Sequence, residues 1–363
     1  MATSTPTPSP LLRAILDSGA PSGSHDYTTI VLLHGWGWHS GVFKRLIPFA
    51  EQYNTRLLLV NRRDYPGSEP YTPEEKAHLA RIASAPEGNP KTKEEAKAVM
   101  RDRGRELYDF LVDYVQREDV PPANGNEGGI IVVGWSLGSV WISALLAIVS
   151  QIPEGSVQLS KYVRRTILYD TTFICHGYPP PPDSYEPLYD ESSTEQERLR
   201  WVTGYYTHGD VWADGDKALE YRNPLQDPPP TITRMTPEDL VETMSAYPTQ
   251  QSDGSDPLIS QVGIRHGAWL AMKDESLYLQ KPRVEGASDW AHVEVVLLCC
   301  DLSFWEPQWG TKVLLEELDA AAKAGKSVRN VKVVRLREAN HFAHWDVPEK
   351  TLKAFLTDGT EVV

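Results

Sequence analysis

Short apolar runs alternate with stretches of helical periodicity along most of this chain, and that alternation constrains its fold more than any other feature. Runs rich in Val, Ile and Leu occupy residues 28–33, 56–60, 129–133, 165–169, 292–300 and 331–336. Helical periodicity fills 42–52, 94–117, 138–151 and 311–324. A strand that is apolar at every position is buried on both faces, and strands of that kind separated by amphipathic helices build a mostly parallel sheet covered by helices on both sides. The expected fold class is therefore α/β.

The alternation is interrupted over residues 171–292, which contain no convincing strand but many Pro, Tyr and Trp residues. A disordered segment would lack the aromatics, so this stretch reads as a folded insertion of helices and Pro-rich turns over one edge of the main domain. The expected organisation is a disordered tail over 1–10, a core made of 11–170 and 293–363, and a lid or cap over 171–292. Residues 67–93, polar and Pro-containing, read as a surface excursion.

Composition narrows the function. The 363 residues carry a formal charge of −14, whereas nucleic-acid binding needs surplus Lys and Arg. The longest apolar runs are too short to span a bilayer, and the Pro- and Ser-rich start has neither the basic nor the apolar segment of a signal peptide. Cys175, Cys299 and Cys300 make an odd count and read as buried thiols in a reducing, cytoplasmic setting. No Cys or His pair has zinc-ligand spacing, so no metal is expected.

The chemistry-bearing motif is Gly134-Trp135-Ser136-Leu137-Gly138, between the apolar run 129–133 and the helical stretch that follows. A sharp strand-to-helix turn lifts the central hydroxyl above the sheet, and flanking glycines are required because side chains there would strike the neighbouring strand and helix. With that context the chain resembles an α/β hydrolase across nearly all of its length outside the insertion. The resemblance implies Ser136 as nucleophile. His34-Gly35-Trp36-Gly37-Trp38 ends the first strong strand and is similar to the family's oxyanion loop, which implies the Trp36 and Leu137 backbone N–H groups as oxyanion donors. The run 61–68 is similar to another family turn, with one glycine missing, and is taken as structural.

Ala339-Asn340-His341-Phe342-Ala343-His344 follows the last strong strand and matches the family's catalytic-histidine loop. His341 is the implied general base and His344 a packing or surface residue. The acid departs from the family pattern. Asp301 sits nearer its strand than the family places its carboxylate, with Ser303 close to the usual position. Asp170, at the tip of the preceding strand, occupies a place from which some relatives, haloalkane dehalogenases among them, supply theirs. Asp170 and Asp301 are equal candidates, and Glu306 is more remote.

A serine nucleophile implies acyl chemistry, whereas epoxide hydrolases and haloalkane dehalogenases form alkyl-enzyme esters on an aspartate. The expected activity is that of a carboxylesterase or lipase-like enzyme acting on a small to medium hydrophobic ester, lactone or thioester, with no cofactor. Trp38 and Trp135 are candidates for the pocket wall or for the core. The rival readings are an acyltransferase or lyase on the same triad and a hydrolase-fold protein that only binds its ligand. Oligomeric state is not legible.

Overall fold

The computed structural model describes residues 10–190, 192–250, 253–279 and 281–362. The predicted tail, apart from Pro10, lies outside the described residues. Eight strands form one sheet: β1 (Arg13–Asp17), β2 (Thr28–Leu33), β3 (Thr55–Asn61), β4 (Ile130–Trp135), β5 (Val163–Tyr169), β6 (Glu294–Cys300), β7 (Val331–Leu336) and β8 (Glu361–Val362). Their order is β1-β3-β2-β4-β5-β6-β7-β8. β1 runs antiparallel to β3, and every other neighbouring pair is parallel.

The six apolar runs are the six interior strands. β2, β3 and β4 are buried at every position, and the centre of each is an unbroken run of Val, Ile and Leu. Alternate residues feed two cores: Val31, Leu33, Leu58, Val60, Ile130 and Val132 face one, and Ile30, Leu32, Leu57, Leu59, Ile131 and Val133 face the other. Each fully buried Val, Leu or Ile contributes about 1.5–3 kcal/mol over an exposed one. The edge strands β1 and β8 carry no such signal. β1 is mostly exposed and pairs on one side only, and β8 is two residues long.

The helices are α1 (Pro73–Ser84), α2 (Pro90–Arg117), α3 (Ser139–Ile148), α4 (Glu195–Val202), α5 (Val211–Asp214), α6 (Pro237–Val241), α7 (Ser255–Arg265), α8 (Ala268–Leu277), α9 (Trp305–Lys323), α10 (Ala343–Asp346) and α11 (Pro348–Leu356). Two expectations are corrected. The helix anticipated over 42–52 is a run of 3₁₀ turns, Ser40–Phe49, with Pro48 inside it, and proline removes an amide and clashes with the preceding turn of an α-helix. The excursion anticipated over 67–93 contains α1. Thr72 and Glu75 form a reciprocal capping box with Pro73 at the first position, and the polar surface hides a narrow buried stripe of Leu79, Ile82 and Ala83.

Every residue of α3 is buried, because α2 and α8 pack along it on top of the sheet. Between β5 and β6 the described residues include no strand, only α4 to α8 and short 3₁₀ turns. Leu258, Ile259 and Val262 of α7, with Ala268, Trp269 and Met272 of α8, share the core of α2 and α3. The stretch carrying α4 and α5 instead contributes Trp201, Tyr206 and Val211 to a separate aromatic cluster with Phe173, Phe304 and Trp305. No described helix is long and apolar enough to cross a membrane.

Candidate active site

Ser136 follows β4 directly and adopts a left-handed backbone, φ 52°, a conformation that costs a residue with a side chain about 1–2 kcal/mol. The glycines around it are dictated by contact. A Cβ on Gly134 would lie 2.6 Å from the Gly138 carbonyl oxygen, and one on Gly138 would lie 2.7 Å from the carbonyl oxygens of both Leu33 and His34. The turn thus presses against the end of β2. Gly35, in the loop beyond that strand, comes so close that an added Cβ would sit 3.0 Å from the Ser136 Cβ. The predicted oxyanion loop and the predicted nucleophile are therefore packed together, with Trp36 and Leu137 each following one of the two touching residues. The Trp36 side chain is 39% exposed.

Trp135 pairs with Tyr169 across β4 and β5, so the next residues out, Ser136 and Asp170, leave adjacent strand ends. Asp170 is also left-handed, φ 47°, which an aspartate tolerates better than most side chains. Its carboxylate is buried and accepts three bonds: from the Cys300 amide at 2.9 Å, the Ser303 hydroxyl at 2.6 Å and His341 Nδ1 at 2.7 Å. The His341 ring packs between Trp135, at 4.9 Å between centroids, and Phe304, edge-on at 5.0 Å. The Trp135 indole N–H donates to the His341 carbonyl at 3.0 Å, tying the histidine loop to the residue before Ser136.

Asp301 does not join this group. It accepts from the Ala339 amide at 3.4 Å and lies 3.8 Å from Arg337, and burial raises its pKa. Glu306 is wholly buried in the first turn of α9, and its carboxylate makes no hydrogen bond to any described residue. Burial drives its pKa well above the ordinary carboxylate value. His344 packs edge-on against Trp135 at 4.6 Å, and the Tyr169 hydroxyl bonds both its ring Nδ1, at 3.1 Å, and its amide, at 3.2 Å. Burial holds its imidazole pKa well below the usual value.

The matching family model is that of the alpha/beta hydrolase family, over residues 30–354. The chain belongs to that family. Several solved structures are similar to this hydrolase. The bromoperoxidase from Bacillus anthracis is 13% identical over 94% of both chains, with a TM-score of 0.40. A lipase-esterase related protein from Clostridium acetobutylicum is 13% identical over 95% of this chain and 99% of its own, with a TM-score of 0.45. Epoxide hydrolase I of potato (Solanum tuberosum) is 11% identical over 90% and 91%, with a TM-score of 0.48. No curated protein matches the sequence.

In this hydrolase Trp38 and Trp135 are both buried in the core, 4% and 1% exposed, and brace the histidine loop through Phe342 at 4.9 and 5.0 Å. Sequence reasoning did not anticipate Phe304, nor the use of Ser303 to hold Asp170. It also missed a buried polar group behind the oxyanion loop. Arg62, Tyr65 and Asp256 are 2%, 1% and 0% exposed. Arg62 donates to both oxygens of Asp256, at 2.7 and 3.0 Å, and to the Gly35 carbonyl at 2.8 Å. The Arg62 amide donates to His34 Nε2 at 3.1 Å, which leaves the His34 proton on Nδ1, 3.0 Å from the Gly35 carbonyl. Burial, followed by the Arg62 charge, keeps that imidazole neutral by pulling its pKa well down. Arg62 and Tyr65 lie in the run set down as structural, but nothing in the sequence links them to Asp256.

Proposed function

We propose that this hydrolase is a serine esterase that cleaves a small to medium hydrophobic carboxylic ester through an acyl-enzyme on Ser136. The observation that carries the reading is the buried His341–Asp170 contact of 2.7 Å beside a strained serine at the end of β4. In the proposed cycle the Asp170 carboxylate accepts from Nδ1–H of His341, which fixes the tautomer and leaves Nε2 as the base that takes the Ser136 proton. Ser136 attacks the ester carbonyl. The Trp36 and Leu137 amides, one on each side of the Gly35–Ser136 contact, stabilise the oxyanion. Protonated His341 returns its proton to the leaving alcohol, then activates water to free the acid and restore the serine.

Asp170 is the proposed triad acid in preference to Asp301, because only Asp170 has a contact with His341. The segment 171–292 is the proposed lid. Its support is a set of bonds onto the turn after β6, which holds Asp170, and onto the histidine loop: Tyr206 N–H to the Leu302 carbonyl at 2.8 Å, His208 Nε2 with the Ser303 carbonyl at 2.8 Å, and Asn340 Nδ2 to the Thr203 carbonyl at 2.7 Å. An apolar ligand is favoured by the aromatic residues nearby, with Trp36 exposed at the oxyanion loop and Phe304 against His341.

The test is turnover of 4-nitrophenyl esters of graded acyl length by the wild type and by Ser136→Ala. Hydrolysis by the wild type with a preference for medium chains, and its loss in the variant, is the expected result. Equal rates in the two proteins, or none in either, would exclude the esterase reading.

A further inference from the structure

The loop Gly35-Trp36-Gly37 is held by partners from outside its own strand and helix. On one side is Arg62, bonded to the Gly35 carbonyl. On the other the Gly37 amide donates to the Tyr65 hydroxyl at 3.0 Å, and that hydroxyl donates to Asp256 at 2.6 Å. The two peptide groups that bracket Trp36 are thus fixed through one carboxylate, Asp256, in the first turn of α7. The same stretch of chain also pairs with the loop along the backbone. Ser245 N–H donates to the Gly37 carbonyl at 3.0 Å, His39 N–H donates to the Thr243 carbonyl at 2.7 Å, and Trp38 forms an antiparallel bridge with Met244.

A buried ion pair is expensive to desolvate and often contributes little net stability, so its presence calls for another reason. Here the pair closes a ring of hydrogen bonds around one backbone amide. Catalysis by an oxyanion site depends on donors already aimed when charge develops, and a misplacement of about 1 Å can cost about 10²-fold in rate. A planar guanidinium held bidentate by a carboxylate is well suited to fixing a loop to that tolerance.

We propose that Asp256 is a positioning residue for the oxyanion donor of Trp36, so that Asp256, together with Thr243, Met244 and Ser245, completes the active site. The insertion then does more than cover the reaction. Docking of α7 sets the geometry of the loop, and a chain in which α7 is displaced binds ester but turns it over slowly. This inference rests on the serine esterase reading above.

The experiment compares wild type, Asp256→Asn, Arg62→Lys and Tyr65→Phe, each checked for folding by thermal melting. The readouts are kcat and KM on 4-nitrophenyl butanoate and the inhibition constant of an alkyl trifluoromethyl ketone, whose hemiketal with the serine oxygen places an oxyanion on the proposed donors. Asp256→Asn and Arg62→Lys are expected to lower kcat by about 10²-fold, with KM changed less than threefold and the ketone weakened in proportion. Tyr65→Phe removes the hydroxyl that links the Gly37 amide to Asp256 while leaving both charges of the ion pair in place, and is expected to lower kcat about tenfold, so it keeps the test open if the charged variants do not fold. Lower melting temperatures with unchanged kcat and ketone affinity would overturn the proposal, because a merely structural role moves stability alone. A wild type that fails to hydrolyse the ester fails at the esterase reading itself and removes the proposal with it. That failure is distinct, because it precedes any comparison among variants.

Discussion

His341 Nδ1 lies 2.7 Å from Asp170 Oδ2 although 171 residues separate them and β6 runs between their strands. The contact is possible because β6 ends level with both. Its last residue, Cys300, donates its amide to the other oxygen of Asp170, and the turn beyond supplies Ser303 and Phe304 to the carboxylate and the imidazole. The end of β6 and the turn after it thus bond the carboxylate of Asp170, the proposed acid from the neighbouring strand.

That arrangement separates the two candidate acids. Asp170→Asn should reduce kcat by about 10⁴-fold through the wrong imidazole tautomer. Asp301→Asn, which disturbs only contacts near Ala339 and Arg337, should change it less than threefold. Steady-state kinetics on one aryl ester checks both, and similar small effects would rule out Asp170 as the triad acid.

Ser303 holds the carboxylate oxygen that faces His341. Ser303→Ala should therefore lower kcat about tenfold with KM little changed, as loss of one hydrogen bond to a charged group costs about 1.5–3 kcal/mol. An unchanged kcat would mean that the Cys300 amide alone orients Asp170.

The strain at Ser136 has its own signature. Glycine tolerates φ 52° and alanine does not, so Ser136→Gly should be more stable than Ser136→Ala by about 1 kcal/mol while both are inactive. Chemical denaturation of the two variants measures the difference, and equal stability would argue against strain at the turn.

Glu306 predicts a pH effect on stability. Its folded pKa lies well above the ordinary value, so above about pH 4.5 the folded state binds more protons than the unfolded one, and its contribution to stability falls as pH rises. Glu306→Gln removes that loss. Its melting temperature relative to wild type should rise between pH 4 and pH 8, and a constant difference across the range would show that the carboxyl does not titrate differently in the two states.

The interior strands were legible because their stretches are rich in Val, Ile and Leu, and Ser136 and His341 stood out as candidates because each follows such a stretch in a short motif. β1 and α1 were not. β1 is an exposed edge, and the apolar stripe of α1 is three residues wide under a charged surface. The proposed preference for Asp170 over Asp301 rests on where the β6 turn directs Ser303 and Phe304, a matter of geometry that residue spacing does not encode. Asp256 was the least legible, because an aspartate in the first turn of a helix reads as a capping charge until Arg62 and Tyr65, nearly two hundred residues earlier, are seen to meet it.

The most direct measurement is the site of covalent capture. Treated with an alkyl fluorophosphonate and digested, the protein should yield a single adduct on Ser136 by peptide mass spectrometry, formed at one equivalent, absent in Ser136→Ala and slowed at least a hundredfold in Asp170→Asn. An adduct elsewhere, or none on the folded wild type, would contradict a nucleophilic serine at this turn.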